Sequence, residues 1–348
     1  MSRPAGIIDM CFAAPAGRLA TKDVEAIWQS ASAARTGVRE RTVLDADADV
    51  ITLAAEAGRG LGLLPGTVGA VFFGTQTSPY LSRSAAAILA DMLGLAPEIF
   101  ATDVQFSTKS GTAALAQAIA WVKAGLSDRA LVIGADALCL HAAPGDPLEM
   151  TAGAGAVCAL VGTGNVAARF EALGSTASDL ADGFRLQGDD YLRTGGAGLA
   201  GSGLGDMRHM GGAWTALGDR LGGDARFDAI AVQQPDGRAA ERVAKALKID
   251  PALVSGGAVA PLLGDLGSAS PLAALLLSLE GRQVGERVGL LSYGAGAGSD
   301  AMSFIVERPL DAGSVRRAIA RRRLMDYATA VRREGRYRMH QHPLGVFE

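Results

Sequence analysis

The stretch QFSTKSGTAAL, residues 105–115, sets Thr108 on a bend between an apolar run and a run of small residues. The residues before it read as a buried strand. Those after it open a helix whose exposed N–H groups suit an anion or an oxyanion. This is the build of an acyl-transfer site. A threonine alcohol is a poor nucleophile until a base takes its proton, so the rest of the chain must be searched for that base.

The chain has 348 residues, 49% hydrophobic and 20% charged, which indicates a globular protein with one large core or two fused similar domains. A net charge of −3 gives no global basic field, so nucleic acid is not an expected partner. Cys11, Cys139 and Cys158 are few, widely spaced and odd in number, which speaks against a disulfide framework and fits a reducing cytoplasm. No zinc-ligand spacing is present, and no metal is expected. The opening MSRPAGIIDMCFAAPAG is interrupted by Asp9 and reads as a first strand rather than a leader peptide. No run approaches the roughly 20 apolar residues that span a bilayer, so a soluble, cytoplasmic chain without a membrane partner is expected.

The apolar runs come in pairs. VGAVFFGTQTSP at 68–79 matches ARFDAIAVQQPD at 225–236, a strand ending in a polar turn, shifted by 157 positions. The same shift carries Gln76 onto Gln233 and Thr108 onto Asp265, within PLLGDLGSASPLAALLL. RALVIGADA at 129–137 falls opposite ERVGLLSYG at 286–294. Three pairs at one offset imply two similar α/β halves around a pseudo-twofold axis, with their turns converging. The halves are expected at 1–165 and 166–310. A glycine-rich, polar insertion at 179–223 reads as a cap over the site, and a basic extension fills 311–348.

Ordered segments along nearly the whole chain resemble the thiolase superfamily, and within it the 3-hydroxy-3-methylglutaryl-CoA synthase family of short archaeal and bacterial type. They include GVRERTVLDADADVITLAAEA (37–57), GTAALAQAIAWVKAG (111–125), GDPLEMTAGAG (145–155), GFRLQGDDYLRTGG (183–196), QQPDGR (233–238), GDLGSASPL (264–272), SYGAGAGSDA (292–301) and DYATAVRREGRY (326–337). The resemblance implies a thiolase fold, two βαβαβαββ halves in five αβαβα layers, and a coenzyme A thioester as substrate or ligand with no bound cofactor. In the family a segment like FACKAGTA carries an acylated cysteine. Here FSTKSGTA keeps Phe106, Lys109, Gly111 and Thr112 but has Thr108 at the nucleophile's place. The family's histidine, in a segment like FHQPN, falls at Gln233, and its glutamate, in a segment like GSES, falls at Gln76.

These residues have consequences of their own. A thiol with pKa near 8.5 supplies a thiolate, whereas an alcohol at neutral pH needs a positioned base. Gln233 cannot be that base, and Gln76 lacks a carboxylate to move a proton in a condensation. Gln76, Gln233 and N–H groups at Thr108 and around Tyr293, Gly294 and Gly296 can instead hold a thioester oxygen, which suits a noncovalent lyase, decarboxylase or acyltransferase. The alternative is a subunit degenerate at its acyl site, working as a homodimer or as a heteromer with a cysteine-containing homologue. A small zinc-ribbon/OB-fold protein is a further partner that the resemblance implies, and an acyl-CoA binding module is a third reading.

Lys109 either steers a thioester's phosphates or pairs with a carboxylate. Asp265 reads as a cap of the following helix, or as a catalytic base if its pKa is raised. Cys11 and Cys158 read as buried thiols. Cys139 and His141 would share one face if the segment were a strand, as a substitute dyad. His209 reads as a surface or cap residue, with a replacement base as the lesser alternative, and His340 and His342 read as solvated tail rather than a tail metal site. Residues 316–338 hold nine arginines beside apolar positions, an amphipathic segment for solvent or a partner.

Overall fold

The computed structural model describes residues 4–29, 33–105, 107–195, 204–223 and 225–335. Phe106, His340, His342 and part of the 179–223 insertion lie outside them.

The first half begins with β1 (Gly6–Ala13), then β2 (Gly17–Ala20), α1 (Thr21–Trp28), α2 (Ala33–Thr36) and β3 (Glu40–Val43). It continues through α3 (Val50–Arg59), β4 (Ala70–Thr75), α4 (Ala85–Met92), β5 (Phe100–Gln105), α5 (Ser110–Lys123), β6 (Arg129–Ala137) and β7 (Ala154–Gly162). The second half runs β8 (Ala168–Thr176), β9 (Gly183–Phe184), β10 (Arg193–Thr194), α6 (Asp206–Arg220), β11 (Ala229–Val232) and α7 (Ala239–Leu247). There follow α8 (Pro251–Ser255), α9 (Ala260–Leu263), α10 (Ser270–Leu279), β12 (Arg287–Gly294) and β13 (Gly298–Val306). The chain ends in α11 (Gly313–Ala320), β14 (Arg323–Met325) and α12 (Tyr327–Arg333).

Nine strands form one sheet in the order β11-β12-β13-β8-β1-β7-β6-β4-β5, the halves meeting where β1 pairs antiparallel with β8. Strands β4, β6 and β7 are apolar at almost every position because both faces are covered. Leu115, Ala118 and Ile119 of α5 and Leu272, Leu275 and Leu276 of α10 share one core with strands of both halves. Helices α3 and α4 pack on the outer face of the first half, and α6 and α7 on that of the second. The layers are therefore helix, sheet, helix, sheet, helix, the five-layered thiolase-like arrangement. The 157-residue shift lays β4 on β11 and β6 on β12.

Two expectations change. The insertion at 179–223 is not all cap, because its later part is the 15-residue α6, which buries Met210, Ala213 and Leu217 against β8 and β13. Their spacing is the helical signal, masked by Gly211, Gly212 and Gly218, which weaken helix propensity. The second half also lacks a counterpart of β5 between α7 and α10. Pro261 there has no N–H for a ladder, and Gly264 and Gly267 sit at φ of 78° and 55°, outside extended geometry. Asp265 keeps only an isolated bridge to Ala152.

Residues 311–335 pack against the first half. Strand β14 pairs parallel with β2, whose other neighbour is β3. Glu334 forms a fully buried ion pair with Arg41. Among the basic residues, Arg321 pairs with Glu56, Arg322 with Glu40, and Arg323 and Arg333 with Asp45. These surface pairs stabilise little, whereas breaking the buried one strands a charge. Among the described residues no helix is long and apolar enough to cross a membrane.

Candidate active site

Four turns converge where the halves meet, and one carboxylate ties two of them together. Asp136, near the end of β6, is completely buried. Its Oδ1 accepts from Thr75 Oγ1 at 2.9 Å, Gln76 N at 2.8 Å, Thr77 N at 3.1 Å and Thr77 Oγ1 at 2.8 Å. Its Oδ2 accepts from Ser268 N at 2.7 Å, across the pseudo-twofold axis. Burial pushes its pKa up, and the hydrogen bonds from Ser268, Gln76 and Thr77 oppose that rise. In the sequence Asp136 is signalled only by a lone carboxylate in a strand that is apolar after Arg129. The same second-half turn reaches the Thr108 bend, Ser268 Oγ donating to Ser107 O at 3.3 Å.

Thr108 lies half-buried between β5 and α5, and its hydroxyl donates to the carbonyl oxygen of Tyr293 at 2.9 Å. A main-chain carbonyl holds that proton but is no base. The approach of the two turns requires Gly294, since a Cβ there would lie 1.7 Å from Ser107 Oγ and 2.8 Å from Lys109 N. Lys109 Nζ bonds both oxygens of Asp300, at 2.9 and 3.0 Å. Asp300 also accepts from Thr112 Oγ1 and Ser175 Oγ. Of the two readings of Lys109, the structure has the carboxylate pair.

The two glutamines differ. Gln76 is half-buried, its main chain is fixed on Asp136, and its side-chain amide has no hydrogen-bond partner among the described residues. Gln233 is 3% exposed and its Nε2 donates to Gly267 O at 3.1 Å. That carbonyl can only accept, which fixes the amide orientation and leaves Oε1 buried without a partner. For an oxyanion, Gln233 has one amide N–H left to donate.

Asp265 is the titratable group of the second-half bend. Its Oδ1 accepts from Gly267 N at 2.9 Å, the capping role, and its main chain bonds Thr151 and Gly153. Burial raises its pKa from 3.8 to about 7, with the charges of Asp136 and Asp236 adding to the rise and the Gly267 bond opposing it. Tyr293 donates its hydroxyl to Asp182, and Asp182 Oδ1 also accepts from Gly296 N at 3.0 Å. That N–H is thereby committed within the cap. Burial and Asp182 push the Tyr293 phenol well above its ordinary range.

Cys139 and His141 lie on a 3₁₀ turn, Leu138–His141, so strand alternation does not align them. His141 Nδ1 sits 2.9 Å from Asp190 O, and burial beside Arg185 lowers its pKa to about 4. Cys158 is buried and Cys11 half-buried. His209 is no surface residue: it lies 3% exposed in α6, its ring 5.8 Å from that of Tyr293. Among the described residues, no group of three or more His, Cys, Asp or Glu is placed to hold a metal.

No protein-family model matches the chain. The hydroxymethylglutaryl-CoA synthase of Methanosarcina mazei is 32% identical over 349 residues, covering 96% of this chain and 99% of that protein. That of Pyrobaculum arsenaticum is 34% identical over 309 residues, covering 86% and 87%. The chain belongs to the hydroxymethylglutaryl-CoA synthase family. Its fold is likewise that of solved structures. MvaS in complex with 3-hydroxy-3-methylglutaryl coenzyme A matches at a TM-score of 0.83 with 23% identity, covering 95% of this chain and 92% of that one. An HMG-CoA synthase complexed with CoA matches at 0.84 with 19% identity, covering 98% and 92%. Within this synthase family, then, the chain presents a threonine elbow, two amides and one carboxyl that titrates near neutrality.

Proposed function

We propose that the chain is a subunit of an acyl-CoA carbon–carbon bond-forming or bond-cleaving assembly, and that its own elbow takes no acyl group. The hydrogen bond from Thr108 Oγ1 to Tyr293 O carries this reading: the alcohol's proton rests on a main-chain carbonyl, and among the described residues no base accepts it. Gln233, committed to Gly267 O, supplies an amide where the family pattern has a histidine, and Gln76 supplies an amide where it has a glutamate. The ligand is a coenzyme A thioester, in keeping with the relatives' names and with the CoA species in the two solved structures.

The missing thiol comes from a second thiolase-fold chain. Strand β5 supports this, since among the described residues it ends the nine-stranded sheet with β4 as its one neighbour, and Phe100 is exposed, an edge open to pairing. The partner is a cysteine-containing homologue, and a second copy of this chain is the alternative. Incubation with acetyl-CoA followed by intact-mass analysis and peptide mapping tests the elbow. The expected result is no acetyl group on the Thr108 peptide; acetylation there with turnover sinks the reading. Copurification is expected to recover a cysteine-bearing thiolase-fold chain.

The raised pKa of Asp265 favours a second reading, a noncovalent lyase. A β-carboxyacyl thioester loses carbon dioxide from its carboxylate, the electron pair of the broken carbon–carbon bond passes to the thioester oxygen held by Gln76 and the remaining Gln233 N–H, and Asp265 returns a proton to carbon. Turnover of such a thioester by the isolated chain, abolished by Asp265→Asn, would establish this alternative.

A further inference from the structure

The second half carries a serine, just beyond β8, and a histidine, in α6, that the elbow chemistry does not use. Ser178 lies exposed just beyond β8, and its Oγ is 2.6 Å from His209 Nε2. The other ring nitrogen, Nδ1, is 2.6 Å from the carbonyl oxygen of Gly205 at the start of α6. A carbonyl only accepts, so Nδ1 carries the proton, and Nε2 presents its lone pair to the serine hydroxyl. His209 also donates its main-chain N–H to Gly205 O, which seats the ring against the first turn of the helix. The imidazole is buried beside Tyr293, the residue whose carbonyl receives the Thr108 hydroxyl. A buried base of fixed tautomer, oriented by a third group and facing an exposed alcohol, is the arrangement that activates a nucleophile.

We propose that Ser178 and His209 form a second nucleophile and base pair, one that takes the acyl group of a small thioester or activated ester. Ser178 Oγ attacks the carbonyl carbon while its proton passes to His209 Nε2. The carbon–sulfur bond then breaks, and the leaving thiolate takes that proton, leaving acyl-serine and free thiol. Water, deprotonated by the same Nε2, cleaves the acyl-serine and regenerates the hydroxyl, for a net hydrolysis to acid and thiol. No oxidant, metal or further reactant enters. This goes beyond the reading of the elbow, which concerns Thr108.

The full-length protein is incubated with acetyl-CoA and, separately, with p-nitrophenyl acetate, then mapped by peptide mass spectrometry while thiol or nitrophenol release is followed. The expected result is acetylation of the Ser178 peptide, absent in Ser178→Ala and slowed about 10²-fold in His209→Gln. Ser178→Cys keeps the test decisive should His209→Gln fail to fold; its thiol beside Nε2 is expected to acetylate faster than the native serine. Absence of label on residue 178 with both probes, in the native and Cys forms, overturns the proposal. So does an unchanged rate in folded His209→Gln. Label confined to the Thr108 peptide overturns it too, and sinks the reading of the elbow as well; label on Ser178 alone supports it and leaves that reading intact.

Discussion

The bends at Thr108 and Asp265 occupy equivalent places in the two halves, 157 residues apart, yet they hold opposite kinds of chemistry. The first offers an alcohol whose proton rests on a carbonyl, with its neighbouring lysine neutralised by Asp300. The second offers a carboxyl that is half-charged near neutral pH and bonded to the N–H of Gly267. Each bend is also held from the opposite half, Thr108 by Tyr293 at the end of β12 and Ser268 by Asp136 near the end of β6. The backbone device is shared, while the carboxyl whose pKa burial raises to about 7 sits on the second-half bend. A doubled fold thus holds two bends in matching places with different side chains on them.

The largest way to break this comparison is to cut the tie across the axis. Asp136→Ala removes the acceptor from Thr75 Oγ1, Gln76 N, Thr77 Oγ1 and Ser268 N, whereas Thr77 N keeps Thr75 Oγ1. Each stranded buried donor costs about 1–3 kcal/mol before relaxation, so a loss of at least about 4 kcal/mol is expected in denaturant unfolding. Asp136→Asn keeps one acceptor oxygen and should lose less. If Asp136→Ala unfolds like the parent protein, the two bends are positioned independently.

A smaller effect sharpens the electrostatic side. The Asp265 pKa is raised in the folded state, from 3.8 to about 7. Its stabilising contribution is therefore complete below about pH 4 and is lost as pH climbs to about 7. Asp265→Asn keeps an oxygen for Gly267 N–H and cannot ionise. Thermal unfolding at pH 5 and pH 8 should show the variant gaining on the parent by about 1–2 kcal/mol at the higher pH, after allowance for partial exposure. Parallel pH profiles for the two proteins would place the titration elsewhere.

Much of this was legible in the residues. The strand pairs at one offset carried the doubling, and Gln76, Gln233, Thr108 and Asp265 all fall at turns in one region because a pseudo-twofold fold brings equal offsets together. What could not be read were partners. Nothing in the sequence distinguishes a Gln233 amide aimed at a ligand from one fixed on Gly267 O, or a free Lys109 from one on Asp300, because those partners lie 34 and 191 residues away. Helix α6 was missed for a different reason: its glycines depress the local signal while tertiary packing supplies the stability. His209, read as a cap residue, became interpretable once that helix placed its ring between Ser178 and Gly205.

The smallest effect bears most directly on the elbow. Thr108→Val keeps the shape of the side chain and removes the hydroxyl, so it costs one hydrogen bond to Tyr293 O, about 1 kcal/mol at a half-buried site. If the bend survives as architecture, thioester consumption by the assembly reconstituted with this variant should stay within about two-fold of the parent, since less than about 0.4 kcal/mol of barrier is at stake. A nucleophile behaves differently. Removing its only reactive oxygen leaves no attacking atom, and the rate falls by orders of magnitude with the fold intact. Steady-state thioester turnover therefore separates the readings at one position, because a loss of a hundredfold or more, with unfolding shifted by no more than that one hydrogen bond, points to a reacting Thr108.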